Sequence, residues 1–492
     1  MKKIRIIGFI LGILAFIATL IFFKPLPDPQ KSHLLATTLA TTLLIAAWWI
    51  TEALPLAVTA LVPLFMFPLL GILKSAQVSK QYMNRHILLL LGGFMIALAM
   101  EKWGLHKRIA FWVIQRIGEK PKRLVLSFML ASAFLSMWIS NTATALMMLP
   151  IGLSIIVYGK ERNLDSHKLE IFAAILFLAI AYGANIGGMG TLIGTPPNLI
   201  LVATYEKYFP HRSSIDFVSW LTLGIPVVLA MLALLFSLFH FFMGNLDFGG
   251  SMGGKEIIGQ ELEKMGPITR EEKAVGIVFL CTALLWISRK GLELGTYSLA
   301  GWGIWFPKAD DTTVAIGMAF LLFLIPTKKE AHPFLLEVDD LNRLPWGILL
   351  LFGGGFALAE GFRSSGLSVW VGQQFYFLEG LHPFWMTLSI CLVLTFLTEV
   401  TSNTVTTQLI LPLLASMAIT LKIQPLLLMV PATLSASCAF MLPVATMPNA
   451  IVFGTGWVPI QKMVKIGLII NLLGALVISL MVYFLGPLAL GY

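Results

Sequence analysis

The sequence predicts an all-α polytopic membrane protein with about 11 transmembrane helices plus two re-entrant hairpins, and three observations predict it. Of its 492 residues 58% are hydrophobic and 12% charged, against roughly 25% charged in a soluble domain, and the mean hydropathy is +0.86. Apolar runs near the ~20 residues that cross a bilayer recur from end to end, among them 6–23, 34–50, 217–243, 272–288 and 467–486. Two further apolar stretches, 124–159 and 384–421, are each broken in the middle by a short polar patch, Ser140-Asn141-Thr142 and Ser402-Asn403-Thr404. No segment is long and polar enough to form a separate soluble domain.

Loop charges orient the spans. Lys2, Lys3 and Arg5 place the N-terminus in the cytoplasm, and spans near 6–23, 34–52, 56–73 and 86–100 bring the chain back inside. There Lys102, Lys107, Arg108, Arg116, Lys120, Lys122 and Arg123 form the densest basic cluster, so count and charge agree. Segment 6–23 looks like a signal-peptide core, but Lys24-Pro25-Leu26-Pro27 stands where a small-residue cleavage site belongs, so it reads as a retained first helix. A re-entrant fold of 124–159 returns the basic loop Lys160 to Lys168 to the cytoplasm. Residues 169–202 then cross outward and 217–243 inward. The stretch 244–273, with Gly249, Gly250, Gly253 and Gly254, reads as a flexible cytoplasmic linker. Spans near 272–288 and 313–326 put Lys328 and Lys329 inside, 346–361 crosses outward, and the hairpin 384–421 enters from outside. The two hairpins thus point at each other, and the C-terminus ends outside. The expected division is N-terminal helices 1–85, a first repeat 86–243, the linker 244–273, a second repeat 274–466, and a C-terminal helix 467–492.

The net charge of +9 is spread over these short loops instead of forming a stripe on one face, which argues for topology signals and against a nucleic-acid partner. Cys281, Cys391 and Cys438 sit singly in apolar runs, and their spacing indicates neither a disulfide framework nor zinc.

Three landmarks recur in the same order. Leu91-Gly92-Gly93-Phe94-Met95-Ile96-Ala97-Leu98-Ala99 matches Phe352-Gly353-Gly354-Gly355-Phe356-Ala357-Leu358-Ala359; each is followed by a Ser-Asn-Thr hairpin; and Gly194-Thr195-Pro196-Pro197-Asn198 matches Ala445-Thr446-Met447-Pro448-Asn449. The first copy of the Gly-Gly segment runs inward and the second outward, giving an inverted-topology repeat, the plan of secondary transporters whose site lies near the midplane between broken helices. Taken alone, the glycines also read as aids to close helix packing.

Breaking a helix at bilayer depth costs several kcal/mol unless its backbone groups are satisfied, so four matched breaks suggest a site. Each Ser-Asn-Thr reads as the N-cap of the hairpin's second arm, with the positive helix end toward the midplane. An anion there is held by N–H groups, hydroxyls and Asn amides; neither hairpin interior contains Lys or Arg. A dianion is under-compensated by such partial charges, which makes co-bound sodium attractive, and Ser, Thr, Asn and unwound carbonyls supply hard oxygens. Ser136 precedes Ser140, and Thr398 precedes Ser402, by one helical turn, so each half offers one cation site. Glu399 lies beside the second tip, either as a proton relay or, more in keeping with its apolar surroundings, as a partner of a cation or a cap for scaffold backbone. Glu52, Glu101 and Glu360 fall near helix ends, and His86, His106 and His332 show no metal-ligand spacing.

With these motifs the chain resembles the divalent anion/sodium symporter family, which includes sodium-coupled dicarboxylate, citrate and sulfate carriers. The resemblance spans nearly the whole chain, most specifically Met137 to Pro150, Gly194 to Asn198, Leu397 to Pro412 and Leu442 to Phe453. It implies a homodimer in a bacterial inner membrane whose fixed scaffold domain carries a sliding, elevator-type transport domain. It also implies a first sodium site at Ser136, Ser140, Asn141 and Gly194, and a second at Thr398, Ser402, Asn403 and Ala445. The substrate residues it implies are Asn141, Thr142, Thr195, Ser402, Asn403, Thr404 and Thr446. Met447 departs from the Pro-Pro-Asn that family members repeat, which touches pocket shape more than fold. The leading expectation is sodium symport of a C4-dicarboxylate such as succinate, malate or fumarate. Sodium-independent exchange, and citrate or sulfate as cargo, are alternatives on the same fold. An intramembrane enzyme lacks support from any H-E-x-x-H or paired intramembrane aspartates, and an anion channel is the remaining class.

Overall fold

In the computed structural model all residues are described except 1, 24–27, 119, 245, 247, 249–252 and 295–296. Lys24-Pro25-Leu26-Pro27 and Gly249-Gly250, on which the leader and linker expectations rest, therefore lie outside the described residues.

The first half opens with α1 (Lys2–Phe22) and α2 (Pro29–Ile50). Asp28 caps α2, accepting from the amides of Gln30 at 3.0 Å and Lys31 at 3.2 Å, with Pro29 at the first helical position. The expected span 56–73 is instead two short helices, α3 (Leu56–Thr59) and α4 (Val62–Leu69). Pro63 has no N–H to carry the ladder across that junction. α5 (Ser75–Tyr82), α6 (Arg85–Lys102) and α7 (Leu105–Ile117) follow, then α8 (Pro121–Ser136), α9 (Asn141–Glu161), α10 (Ser166–Gly188), α11 (Pro196–Tyr208) and α12 (Phe217–Met243). The stretch expected to be a flexible linker contains a helix, α13 (Gly254–Met265), which buries Ile258 and packs against α7 and α9.

The second half comprises α14 (Arg270–Ile287), α15 (Asp311–Leu322), α16 (Trp346–Ser365), α17 (Leu367–Gln373), α18 (Pro383–Leu397), α19 (Asn403–Leu421), α20 (Leu426–Ala436), α21 (Met447–Phe453) and α22 (Ile460–Leu490). The all-α expectation needs one correction. Antiparallel hairpins β1 (Gly291–Leu294) with β2 (Tyr297–Ala300), and β3 (Pro326–Lys329) with β4 (His332–Phe334), occupy the connections before and after α15. In such short connections pairing two extended strands satisfies backbone groups that neither neighbouring helix can reach.

Among the described residues eight helices are long and apolar enough to cross a membrane, α9 and α19 included, while α15, α18 and α20 are shorter apolar helices. Of α1's apolar window 11% is buried and of α10's 89%, so α1 offers its surface to lipid and α10 lies at the centre. α8 reaches α10 closely because Gly183 and Gly187 have no side chain: a Cβ on Gly187 would stand 2.1 Å from the Ala133 carbonyl oxygen, and one on Gly183 2.7 Å from that of Met129. The Gly-Gly helices also pack through their glycines. Gly92 meets the Ala315 backbone of α15, and Gly354 meets Ala60.

The apolar interior falls into one large cluster and smaller ones. The large cluster holds the inner faces of α8–α12 and α18–α22; one smaller core joins α2, α4, α5 and α16, and another joins α6, α14 and α15. α6, α14, α15, α16 and α19 each contribute to both the large cluster and a smaller one.

Candidate functional site

The four breaks in apolar helices, residues 137–140, 189–195, 398–402 and 437–446, are the places where a membrane-spanning chain exposes backbone polar groups. They match in pairs at a constant chain offset within each pair of elements. Ser136, Ser140 and Asn141 correspond to Thr398, Ser402 and Asn403, just as Gly104 (φ +78°) before α7 corresponds to Gly366 (φ +79°) before α17. After the hairpins, Thr191, Thr195 and Asn198 correspond to Leu442, Thr446 and Asn449.

The local structure repeats with the residues. Asn198 Nδ2 donates to the carbonyls of Gly188 (3.2 Å) and Thr191 (2.7 Å), and Asn449 Nδ2 to those of Ala439 (3.0 Å) and Leu442 (3.1 Å). In each half the Asn of the post-hairpin motif thus folds back to satisfy carbonyls that the break has freed, which is what holds the unwound segment in shape.

At the first hairpin Ser140 caps α9, its Oγ accepting from the Ala143 amide at 3.1 Å. The Ser136 hydroxyl donates to Asn141 Oδ1. Around Gly188 the first cluster closes: a Cβ there would lie 2.9 Å from Asn141 Oδ1, 3.1 Å from the Gly194 carbonyl oxygen and 3.3 Å from Thr195 Cβ. Ser136, Asn141, Gly194 and Thr195 are therefore brought together, in a space that exists because Gly188 has no side chain. The Ser140 side chain caps the helix end beside them.

At the second hairpin Ser402 is the N-cap of α19 but its side chain makes no capping bond, unlike Ser140. Thr398 Oγ1 lies 2.7 Å from Asn403 Oδ1 and 2.8 Å from the Ala436 carbonyl oxygen. Three oxygens thus converge on one hydroxyl hydrogen, leaving one oxygen pair with nothing positive between its members, an arrangement a cation completes. Ala436 was not expected; the backbone carbonyl at the end of α20 leaves no trace in residue type. Ala445 sits in the following break with its amide on the Leu442 carbonyl at 3.2 Å.

The hydroxyls of Thr142, Ser402 and Thr404 are half-buried and enter no hydrogen bond among the described residues. They remain open to a ligand. Met447 is 66% exposed, turned away from the buried Pro448 and Asn449.

Glu399 caps backbone. Its Oε1 accepts from the amides of Phe440 (2.7 Å) and Met441 (2.8 Å) and from Asn471 Nδ2 (2.7 Å), and its Oε2 from the Leu442 amide (3.0 Å). Four donors on a 3% exposed carboxylate, with no cation among them, account for its burial.

Hydrogen bonds link the four breaks in two pairs, and α10 joins the pairs. Thr191 donates to the Met137 carbonyl, joining the first hairpin to the first post-hairpin break. Asn185 of α10, a residue outside the expected set, donates to Thr446 Oγ1 at 3.1 Å and faces Asn449 Oδ1 at 3.4 Å, joining the two halves. Glu399 and Thr398 join the second hairpin to the second post-hairpin break. Packing follows the same exchange, α11 against α19 and α20, α21 against α9 and α10.

Known proteins agree with this architecture. The YdaH transporter of Alcanivorax borkumensis superimposes with a TM-score of 0.53 at 12% identity, over 83% of this chain and 87% of that one. MtrF of Neisseria gonorrhoeae, described as one of a class of antimetabolite efflux pumps, gives 0.52 at 13%, over 82% of each. At these identities the likeness is one of fold. Sequence relatives are much nearer. A sodium-dependent dicarboxylate transporter of Staphylococcus saprophyticus, SdcS, is 45% identical over 99% of this chain and 92% of its own length. The protein of that name in Staphylococcus aureus (strain MRSA252) is 44% identical over the same shares. Residues 8–490 match the family model of the sodium:sulfate symporter transmembrane region, and the chain belongs to that family of membrane transporters.

Proposed function

We propose that this chain couples sodium ions to the movement of a C4-dicarboxylate across a bacterial plasma membrane. The observation that carries the reading is the set of hydrogen bonds that, together with α10, joins four helix breaks, rich in oxygens and amide donors and without a Lys or Arg in either hairpin. The naming of relatives 44–45% identical over the full chain as sodium-dependent dicarboxylate transporters supports the cargo.

Sodium ions are cargo here, bound by Ser136, Ser140, Asn141 and Gly194 in one half and by Thr398, Ser402, Asn403 and Ala445 in the other, with the Ala436 carbonyl added to the second. The oxygen convergence at Thr398 supports this assignment most directly. Both Asn141 and Asn403 turn Oδ1 toward the hydroxyl one turn earlier, which leaves their NH2 groups for the anion. Thr142, Thr195, Ser402, Thr404 and Thr446 supply hydroxyls, and the N-termini of α9, α11 and α19 supply positive ends. Cation and anion sites share the two asparagines, so sodium bound on one side of each amide orients the donor on the other. That shared amide is the coupling device.

The re-entrant reading of both hairpins, the inverted repeat and the elevator movement complete the proposal, with the N-terminus cytoplasmic, the C-terminus outside and two chains per transporter. The division of the apolar interior into one large core and smaller ones around α2–α5 and α14–α15, in contact through α6, α14, α15, α16 and Val405 of α19, supports a moving part and a fixed one.

Purified protein in liposomes is expected to accumulate radiolabelled succinate down a sodium gradient, and to stop when sodium is replaced by choline. Ser136→Ala and Thr398→Ala are expected to raise the half-saturating sodium concentration several-fold, each removing one oxygen of the order of a hydrogen-bond-strength interaction. Uptake indifferent to sodium overturns the coupling and leaves anion exchange on the same fold.

A further inference from the structure

We infer that Asn185 is a positioning residue that makes the Thr446 hydroxyl an obligate hydrogen-bond donor toward the transported anion. The inference rests on the proposed contact between Thr446 and substrate and adds a residue that the motifs do not contain.

The polarity of each group follows in turn from its neighbours. Asn449 has one side-chain amide atom within 3.0 Å of the Ala439 carbonyl and 3.1 Å of the Leu442 carbonyl. Carbonyls only accept, so that atom is Nδ2 and the other, Oδ1, is an acceptor. Asn185 lies 3.4 Å from this Oδ1 and must therefore present its own NH2 there. The same NH2 is 3.1 Å from Thr446 Oγ1 and donates to it. The backbone N–H of Asn449, at 3.3 Å, donates to the second lone pair of Thr446 Oγ1. With both lone pairs used, the hydroxyl hydrogen has no acceptor among the described residues and is free for a ligand.

A buried cost marks the orientation as imposed. Asn185 is 1% exposed, and its Oδ1 has no donor among the described residues. Flipping the amide would give that oxygen the Thr446 hydroxyl as partner but would set it against Asn449 Oδ1. The chain keeps the orphan oxygen and spares the hydroxyl. The first half lacks the device: Ala436 stands at the position equivalent to Asn185, and the Thr195 side chain caps nothing. Only the second half presents a hydroxyl of fixed polarity, which selects for a carboxylate oxygen at that end of the pocket.

The test is a double-mutant cycle on sodium-driven succinate uptake in proteoliposomes. Thr446→Val, which keeps shape and removes the hydroxyl, is expected to raise KM for succinate about tenfold, as loss of one hydrogen bond to a charged group. Asn185→Ala is expected to raise KM about three- to tenfold with the half-saturating sodium concentration held within about twofold, and the double variant to match Thr446→Val alone. Asn185→Asp, isosteric but accepting from Thr446 and repelling Asn449 Oδ1, is expected to exceed Asn185→Ala. If Asn185→Ala fails to elute as a monodisperse peak, Asn185→Ser is read in its place. An unchanged KM in Thr446→Val overturns the substrate contact itself. A raised KM in Thr446→Val with an Asn185 effect that is absent, or that adds independently in the double variant, overturns the inference and leaves the contact standing.

Discussion

Equivalent positions in the two halves solve one problem with different chemistry. Where the first half has Met137, whose carbonyl receives the Thr191 hydroxyl, the second has Glu399, whose carboxylate gathers the amides of residues 440–442 and the Asn471 side chain. Met189 and Gly190, which correspond to Phe440 and Met441, bond within their own turn instead, Met189 to the Ile186 carbonyl at 3.1 Å and Gly190 to that of Gly187 at 2.9 Å. The longer second break needs an acceptor brought from outside, and Glu399 is it. Glu399→Gln replaces one acceptor oxygen with a donor facing donors, so a loss of about 3 kcal/mol is expected. The thermal midpoint in detergent should fall with or without sodium; a midpoint equal to wild type would return Glu399 to the proton-relay reading. Spacing in the sequence paired Ser136 with Ser140 and Thr398 with Ser402, because a hydroxyl one turn before a helix start is a local pattern; in the structure the two hydroxyls meet the next residues, Asn141 and Asn403. Asn185, Gly188 and the Ala436 carbonyl were not legible, since each gains its role from an element distant in the chain, and a backbone oxygen carries no residue signature.

Helix packing sets the next scale. Thr395 of α18 donates to the Cys438 carbonyl at 2.8 Å, while its counterpart contact in the first half is bare backbone, Gly187 of α10 against Ala133 of α8. Since a Cβ on Gly187 would sit 2.1 Å from a carbonyl oxygen, Gly187→Ala has to push α8 from α10 and displace Gly188 from Asn141. Overpacking of this kind costs about 1–3 kcal/mol, and sodium affinity should fall more than stability, read by titrating uptake against sodium. At the membrane edge Asp216 caps α12 and is tied to Lys290 at 2.7 Å. Burial alone would raise its carboxyl, but Lys290 and Ser219 outweigh burial and hold it below the usual range. A depressed folded value means that its stabilisation is complete above the unfolded value near 3.9 and is lost as pH falls through the folded one. The thermal midpoint of wild type should thus drop on acidification below about pH 4 more than that of Asp216→Asn. At this scale the sequence located the long helices and the helix breaks at 137–140 and 398–402 through apolar length and punctuation. It missed α13, which takes its form from packing Ile258 against α7 and α9, and the two β-hairpins, whose strands of three or four residues are too short to show a period.

Across the whole molecule α11 is the element under opposing claims. Its N-cap, Thr195, lies in the site and the helix packs against α19 and α20, yet its far end is tied to the Gly-Gly helices. Glu206 meets Arg85 at 2.6 Å and His86 at 2.8 Å; Lys207 meets Glu360 at 3.0 Å, the Phe356 carbonyl at 2.7 Å and Gln81 at 3.0 Å. A cavity of about 620 Å³ opens beside these pairs, lined by Arg85, Glu206, Lys207 and Glu360 among others. If the hairpin-bearing core slides past α6 and α16, these ties have to part once in every cycle. Their strength then sets the balance between end states: buried pairs lose several kcal/mol when one partner goes and far less when both do. A double variant, Lys207→Cys with Glu360→Cys, in a background with Cys281, Cys391 and Cys438 replaced, is therefore expected to fold and transport. Bridging the two thiols with a cleavable bifunctional reagent should arrest uptake, and cleaving the bridge should restore it, while neither single variant responds to the reagent. A bridged protein that still transports at the unbridged rate would mean that α11 and α16 stay together throughout, and the sliding movement would have to be abandoned for a rearrangement confined to the four breaks.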